Sequence, residues 1–176
     1  MLELLAPAGN LDAVIAAVQN GADAVYMGFG DGFNARRSAD NFTRESFAKA
    51  VRYCHIRGCK VYVTLNTLVG DREMDAAAAL AQQASDAGAD AILVQDLGLA
   101  RVLRAALPDI PLHASTQMSI HNLAGVEAAA EMGITRAVLA RELSLEQIRF
   151  ISQHAGIETE VFVHGALCFC YSGQCY

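Results

Sequence analysis

The sequence has no tryptophan, no membrane-length apolar run and no excess of positive charge. Its apolar content is mainly alanine, valine, isoleucine and leucine, a mixture that suits helices packed on a buried parallel sheet. No apolar stretch approaches the roughly 18 residues that a membrane span needs. The chain opens directly on a strand pattern at Leu2–Ala6, without a basic leader segment. We therefore expect a cytoplasmic protein that makes no membrane contact.

Acidic residues outnumber basic ones, which gives a net charge of -6. Domains that grip nucleic acid through counterion release are usually basic, so this chain alone does not resemble a general nucleic-acid binder. The five cysteines are an odd number for a disulfide framework. Cys54 and Cys59 lie beside a predicted helix and are predicted core residues. The other three, Cys168, Cys170 and Cys175, cluster near the C-terminus and indicate a site.

Short apolar runs alternate with longer amphipathic segments. Asn20–Gly28 resembles Ala87–Gln95, because each combines a helix-ending glycine, a polar turn and a β-branched run. This pattern predicts strands near residues 2–6, 24–28, 60–66, 91–95, 112–116, 136–140 and 158–164. It predicts helices near residues 10–20, 43–57, 73–87, 97–107, 122–132 and 144–155. Helix starts are indicated by N-cap residue types at Asn10, Thr43, Asp71 and Asn122 and by a capping box at Ser144 and Gln147.

Strict alternation of strand and helix predicts an α/β protein with a parallel sheet and right-handed crossovers. An open doubly wound sheet and a (β/α)8 barrel both satisfy this pattern. The near-equal repeat without a GxGxxG fingerprint favours the barrel, but the predicted strands leave it one short. We therefore expect a single, incomplete TIM-barrel-like domain over residues 1–176. It would be the N-terminal part of a longer protein, or be completed by another chain.

In either architecture, functional residues lie at the carboxyl ends of the strands. The polar residues predicted there to bind substrate are Asn66, Gln95, Asp96, His113 and Gln117. Arg141 and Glu142 follow the sixth strand, where the guanidinium could hold the carboxylate ionised; an exposed ion pair is an equally good interpretation. His164 ends the seventh strand, and with Arg141 and Glu142 it is a candidate catalytic residue. Glu160, on the same strand, is predicted to be a buried carboxylate that needs a partner.

The C-terminal cysteines suggest several kinds of chemistry. Thiolates ligate zinc or iron–sulfur clusters, and Gly173 could bend the loop so that Cys168 and Cys175 converge. Their spacing is not that of a zinc knuckle, and two ligands are too few for a closed site. On spacing alone, metal ligation and buried or reactive thiols remain alternatives. A nucleophilic pair of Cys168 and His164 is a further alternative.

One run of residues matches a known signature: Glu160-x-Phe162-x-x-Gly165-Ala166-Leu167-Cys168-x-x-x-x-Gly173-x-Cys175. It resembles the hallmark of peptidase family U32, the collagenase-like proteases, although the signature normally continues to a serine beyond the last residue of this chain. Similar blocks elsewhere are Leu2–Gly9, Asn20–Tyr26, Val63–Thr67, Val94–Asp96, His113–Gln117 and Val138–Glu142. The resemblance thus covers nearly the whole chain.

The resemblance implies more than one activity. The family name implies proteolysis, but the family also includes bacterial proteins that hydroxylate a cytidine of ribosomal RNA or the wobble uridine of transfer RNA, reactions linked to prephenate. Other members support oxygen-independent ubiquinone hydroxylation and carry a 4Fe-4S cluster on four cysteines. Cys168 and Cys175 match two of those ligand positions, and no residue here matches the other two.

We therefore predict an RNA-modifying hydroxylase that uses a cysteine-ligated iron–sulfur centre in the intact protein and has RNA as its partner. Because this chain supplies only two matching ligands, we expect it to lack the cluster on its own. A collagenase-like peptidase with a cysteine- or metal-dependent mechanism is the alternative.

Overall fold

The computed structural model describes residues 2–30, 32–35, 41–165 and 168–174. Its strands are β1 (Leu5–Pro7), β2 (Ala24–Gly28), β3 (Lys60–Leu65), β4 (Ala91–Val94), β5 (Leu112–Ala114), β6 (Arg136–Val138) and β7 (Glu158–Glu160). Its helices are α1 (Leu11–Gln19), α2 (Arg44–His55), α3 (Met74–Asp86), α4 (Leu97–Ala106), α5 (Leu123–Glu131) and α6 (Leu145–His154). A short 3-10 helix, Thr116–Met118, follows β5.

The seven strands follow one another in the sheet in chain order. The pairings of β1 with β2, β2 with β3, β5 with β6 and β6 with β7 are parallel. Sequential parallel strands separated by helices are the topology of a (β/α)8 barrel, here with one repeat fewer among the described residues. The predicted α/β, incomplete TIM-barrel-like fold class is confirmed.

Most helices begin where the sequence predicts. The side chains of three predicted caps accept a backbone N–H in the first helical turn: Asn10, Thr43 and Asn122. Ser144 and Gln147 form the predicted capping box of α6. The prediction for Asp71 is wrong, because a turn precedes α3: the N–H of Gly70 donates to the Glu73 carboxylate over 2.9 Å, and the helix begins only at Met74.

Several strands are shorter than predicted, because their last predicted residues leave the sheet. Strand β5 stops at Ala114, because the Ser115 hydroxyl accepts the N–H of Gln117 and caps the 3-10 helix. Strand β7 ends at Glu160, although its apolar pattern continues to His164. The residues that leave the strands early form the loops of the candidate site.

The chain divides into two compact units, Met1–Leu93 and Val94–Tyr176. In the first unit, Phe47 and Cys54 of α2 are fully buried, as are Val61 and Val63 of β3. The predicted core positions of Cys54 and Cys59 are confirmed. Burial raises the pKa of the Cys54 thiol to about 12, so this thiol stays protonated and unreactive near neutral pH.

In the second unit, fully buried side chains come from α4, β5 and α5, and Ile151 of α6 is also buried. Leu99, Leu103, Leu112 and Val126 are its innermost apolar residues. None of the described helices has the length and apolar character needed to cross a membrane.

Candidate functional site

The segment that carries the C-terminal cysteines is fixed to the loop after β6 through Ser172, which is only 2% exposed. The Ser172 N–H donates to Glu142 Oε1 over 2.7 Å, and the Ser172 hydroxyl donates to the same oxygen over 3.2 Å. The N–H of Arg141 donates to Ser172 Oγ over 3.1 Å. Three hydrogen bonds thus hold one serine at the carboxyl end of β6.

The same serine is also bound to the loop after β5. The Ser119 hydroxyl donates to the Ser172 carbonyl over 2.6 Å, and Gln174 Nε2 donates to Ser119 Oγ over 3.3 Å. Ser119 has a φ of 57°, the one left-handed backbone among the described non-glycine residues. Such a conformation costs on the order of 1 kcal/mol and persists where surrounding contacts determine it. We call Ser119, His121, Glu142 and Ser172 the loop anchor.

Gly173, the glycine of the signature, is required by this close approach. Its φ is +79°, a region that L side chains rarely adopt. A Cβ atom on Gly173 would lie 2.9 Å from the carbonyl carbon of Gln117 and would also collide with the Gln117 oxygen and the Ser119 hydroxyl. Only glycine fits where the cysteine segment crosses the loop after β5.

Glu142 is the electrostatic centre of the loop anchor. Its Oε2 lies 3.2 Å from His121 Nε2, and His121 Nδ1 lies 2.6 Å from the Ser119 carbonyl oxygen. Both ring nitrogens therefore lie within hydrogen-bond distance of an oxygen atom. Partial burial raises the pKa of Glu142, but its own backbone N–H, Ser172 and His121 together bring that pKa below its usual range. The carboxylate is ionised at neutral pH.

Arg141 and Glu142, predicted as a pair, have different partners in the structure. The guanidinium carbon of Arg141 lies 4.7 Å from the centroid of the Phe162 ring. Glu142 is bound by Ser172 and His121. The carboxylate therefore holds the cysteine segment in place, which neither interpretation of the sequence pattern anticipated.

The predicted substrate-binding residues fall in both units. Asn66, in the first unit, accepts the N–H of Ala35 over 3.0 Å and so supports the loop before α2. In the second unit, Gln95 follows β4 and is half-buried. Asp96 caps α4 by accepting the Leu99 N–H over 2.8 Å. Asn66 and Asp96 thus each stabilise local structure just after a strand.

His113 and Gln117 also lie in the second unit. His113 is buried within β5, where Arg136 is its neighbour on β6, and it does not lie on the loop beyond the strand. Gln117 lies in the 3-10 helix after β5, half-buried, and its carbonyl packs against Gly173. Among the described residues, the Gln117 backbone therefore lies against Gly173 of the cysteine segment.

The structure places His164 and Cys168 on the exposed surface. No hydrogen bond joins them within the described ranges, so the structure does not bring this pair together. Cys175 lies outside the described residues. Among the residues that are described, no group of three or more histidine, cysteine, aspartate or glutamate side chains could hold a metal ion.

Glu160 has the partner that its position predicts. Arg136 Nη1 lies 3.6 Å from Glu160 Oε2, and Arg136 Nη2 lies 2.6 Å from Glu158 Oε2. The Arg136 side chain is 9% exposed, so a nearly buried guanidinium joins two carboxylates of β7 to β6. This ion-pair group keeps the first part of the signature in register with the neighbouring strand.

The family model for peptidase family U32 matches residues 9–176. This chain belongs to peptidase family U32, as the signature indicates. A solved structure of a U32 peptidase superposes with a TM-score of 0.75 at 17% identity, covering 92% of this chain and 68% of that one. A glycerophosphodiester phosphodiesterase from Parabacteroides distasonis gives a TM-score of 0.64 at 8% identity, covering 94% of this chain and 87% of that one. These likenesses show the fold alone.

Curated relatives match along nearly the whole chain. The 23S rRNA 5-hydroxycytidine C2501 synthase of Escherichia coli (strain K12) is 45% identical over 99% of this chain and 26% of its own length. The tRNA hydroxylation protein P1 of Bacillus subtilis (strain 168) is 42% identical over 98% of this chain and 41% of its own length. A collagenase of Porphyromonas gingivalis (strain ATCC BAA-308 / W83) is 34% identical over 99% of this chain and 44% of its own length. The chain therefore spans less than half the length of these relatives.

Proposed function

We propose that the protein takes part in the hydroxylation of a base in ribosomal or transfer RNA. The observation that carries this proposal is the 45% identity, over 175 residues, with a ribosomal RNA hydroxycytidine synthase. The similarity to a tRNA hydroxylation protein, at 42% identity over 173 residues, supports it independently. Both relatives are named for adding a hydroxyl group to RNA, and both resemble this chain almost from end to end.

In this proposal the loop anchor holds the cysteine segment in position. Glu142 is ionised and already bound by Ser172 and His121, so it positions the cysteine segment and does not carry protons during the reaction. Arg141 and His164 are exposed and Gln117 is half-buried, and we propose that these side chains contact the RNA. We assign Glu142 a positioning role and keep Arg141 and His164 as candidate catalytic residues.

An iron–sulfur centre is part of the proposal on the strength of the family resemblance. Cys168 is exposed and makes no disulfide, which suits a thiolate ligand. The described residues do not provide the remaining thiolates of a four-cysteine site. We propose Cys168 and Cys175 as two ligands of this cluster.

The number of cluster ligands that this chain supplies is tested by anaerobic reconstitution of the 176-residue chain with iron and sulfide. We expect substoichiometric iron and no stable cluster spectrum. A stable, stoichiometric 4Fe-4S cluster would contradict the assignment of only two ligands to this chain.

The hydroxylation itself is tested by deleting the gene in its host and digesting ribosomal and transfer RNA to nucleosides. Mass spectrometry should show the loss of one nucleoside that is heavier than its parent by a single oxygen atom, with the parent nucleoside rising in proportion. Reintroducing the gene should restore it. An unchanged nucleoside profile would contradict the proposal.

A peptidase is the second candidate function. The 34% identity with a collagenase favours it, as does the exposed thiol of Cys168. This candidate predicts that anaerobically purified protein cleaves denatured collagen and that Cys168→Ser abolishes cleavage. Protein that cleaves no peptide but restores the missing RNA hydroxyl group excludes it.

A further inference from the structure

Arg141 and Phe162 form a cation–ring pair in the second unit, in the loops that follow β6 and β7. The Arg141 guanidinium carbon lies 4.7 Å from the ring centroid, close enough for a favourable cation–π interaction. Arg141 is exposed, and Phe162 remains 43% exposed despite this contact. The loop anchor does not use either side chain, because it engages only the backbone N–H of Arg141.

Exposed aromatic and apolar side chains follow Phe162 closely in the sequence. They include Val163, Phe169 and Tyr171, of which Tyr171 is 69% exposed. Large apolar side chains grouped on a surface mark sites of interaction with another molecule. These exposed side chains are therefore candidates for contact with another molecule.

The loop anchor fixes the backbone positions of Arg141 and Tyr171. Arg141 is held through its backbone by Ser172, and Tyr171 immediately precedes that serine. The Tyr171 ring lies 6.4 Å from the ring of His121, which is paired with Glu142. Arg141 and Tyr171 are thus both attached to the same buried serine, so their side chains are presented from a well-defined backbone.

We propose that Arg141, Phe162 and Tyr171 form a stacking platform for an unpaired base of single-stranded RNA. The choice of RNA rests on the proposed function. Unpaired bases stack on aromatic rings and on guanidinium planes, and proteins that read single-stranded RNA present these groups together. The signature phenylalanine, Phe162, thereby receives a role in substrate binding.

The net charge of the chain predicts how RNA binding at this platform depends on salt. A net charge of -6 argues against binding through many phosphate contacts. Stacking on neutral rings does not require a basic surface, and one guanidinium can pair with at most a small number of phosphates. Binding at this platform should therefore depend only weakly on salt, unlike the binding of a basic domain.

The test is fluorescence anisotropy of a labelled, unstructured RNA oligonucleotide titrated with the 176-residue chain. Phe162→Leu should weaken binding about tenfold, the size expected for the loss of one stacked base. Phe162→Tyr, which keeps a ring, should bind as the parent does. An RNA duplex of the same sequence should bind much more weakly than the single strand.

A matched control is available in the first unit. The Arg57 guanidinium carbon lies 3.7 Å from the centroid of the Tyr53 ring on α2, which forms another cation–ring pair, with Arg57 exposed and Tyr53 half-buried. Tyr53→Leu should leave RNA binding unchanged. If Tyr53→Leu weakens binding as much as Phe162→Leu, or if the parent chain binds no RNA, the platform is overturned.

A protein partner on this surface would give a different outcome. Size-exclusion chromatography would then show an oligomer that Phe162→Leu dissociates, with RNA binding unaffected, and that result would overturn the proposal. The assay needs neither cluster nor turnover. RNA binding that depends on Phe162, together with an unchanged nucleoside profile after gene deletion, would support the platform and contradict only the proposed function.

Discussion

The backbone N–H of Ser172 donates to Glu142 Oε1 over 2.7 Å and joins positions 30 residues apart in the sequence. Through this bond the loop after β6 determines where the cysteine segment lies. His121 and Ser119 complete the contact from the loop after β5. Ser172, between the two signature cysteines in the sequence, is therefore held by the loops that follow β5 and β6. The Glu142 carboxylate, which resembles a catalytic acid in the sequence, serves as a structural contact.

Replacing Glu142 with alanine should release the cysteine segment while the sheet remains folded. The substitution leaves the buried N–H and hydroxyl of Ser172 without their acceptor, which costs about 1–3 kcal/mol locally. Amide hydrogen exchange measured by NMR should accelerate at Ser172 and Arg141 and stay unchanged in β3. Glu127→Ala on the exposed face of α5 is the control. Equal protection of the Ser172 amide from exchange in the parent and the Glu142→Ala variant would contradict the role of Glu142 in the loop anchor.

Docking of the segment should also respond to acid. The pKa of Glu142 is lower in the folded protein than in the unfolded chain, so its contribution is complete above the ordinary carboxyl pKa of about 4.3. It is lost as the pH falls through the lower folded pKa. The NMR shift of the Ser172 amide should therefore titrate with a midpoint below about 4.3. The Glu142→Gln variant should show no such transition, and a midpoint above the ordinary value would count against this account.

Gly173→Ala should disrupt the docked segment more than any other alanine substitution at a nearby glycine. The new Cβ would meet the backbone of Gln117, and the φ of +79° is unfavourable for alanine. We expect a loss of about 1–3 kcal/mol in segment docking, seen as faster exchange of the Ser172 amide. Gly156→Ala, where the added Cβ meets nothing within 4 Å, should leave that exchange as it is.

Arg136→Met should destabilise the second unit by about 3 kcal/mol, because it removes the nearly buried guanidinium that lies beside the partly buried Glu160 carboxylate. Urea unfolding at neutral pH measures the change. Arg149→Met on α6, at an exposed site, should change the stability little. A loss at position 136 no larger than at 149 would mean that the ion pair contributes nothing.

The fold could be predicted from the sequence because its signals are local. Each strand is a short apolar run, and caps such as Asn122 and the Ser144–Gln147 box lie within one turn of the helix that they start. The same locality explains the error at Asp71, where a turn through Gly70 and Glu73 competes with capping. Strand ends were overestimated, since apolar alternation does not reveal where hydrogen bonding to the neighbouring strand stops.

The candidate site was predicted only in part. Arg141 and Glu142 stand out because they follow a strand, but the bonds that define their roles are not local. Ser119 donates to a carbonyl 53 residues away, and serine is common in turns, so no spacing rule identifies Ser119 or Ser172. The sequence indicated only that Gly173 could bend the cysteine loop, and its close approach to the Gln117 backbone is visible in the structure alone.

The most direct test of the central claim is complementation of a strain that lacks the gene, with RNA nucleosides measured by mass spectrometry. The parent gene and Cys170→Ser should both restore the hydroxylated nucleoside, because Cys170 is exposed and lies outside the signature. Cys168→Ser should not restore it, even when the protein accumulates to the parent level. Full hydroxylation by the Cys168→Ser protein would contradict the assignment of RNA hydroxylation to this cysteine segment.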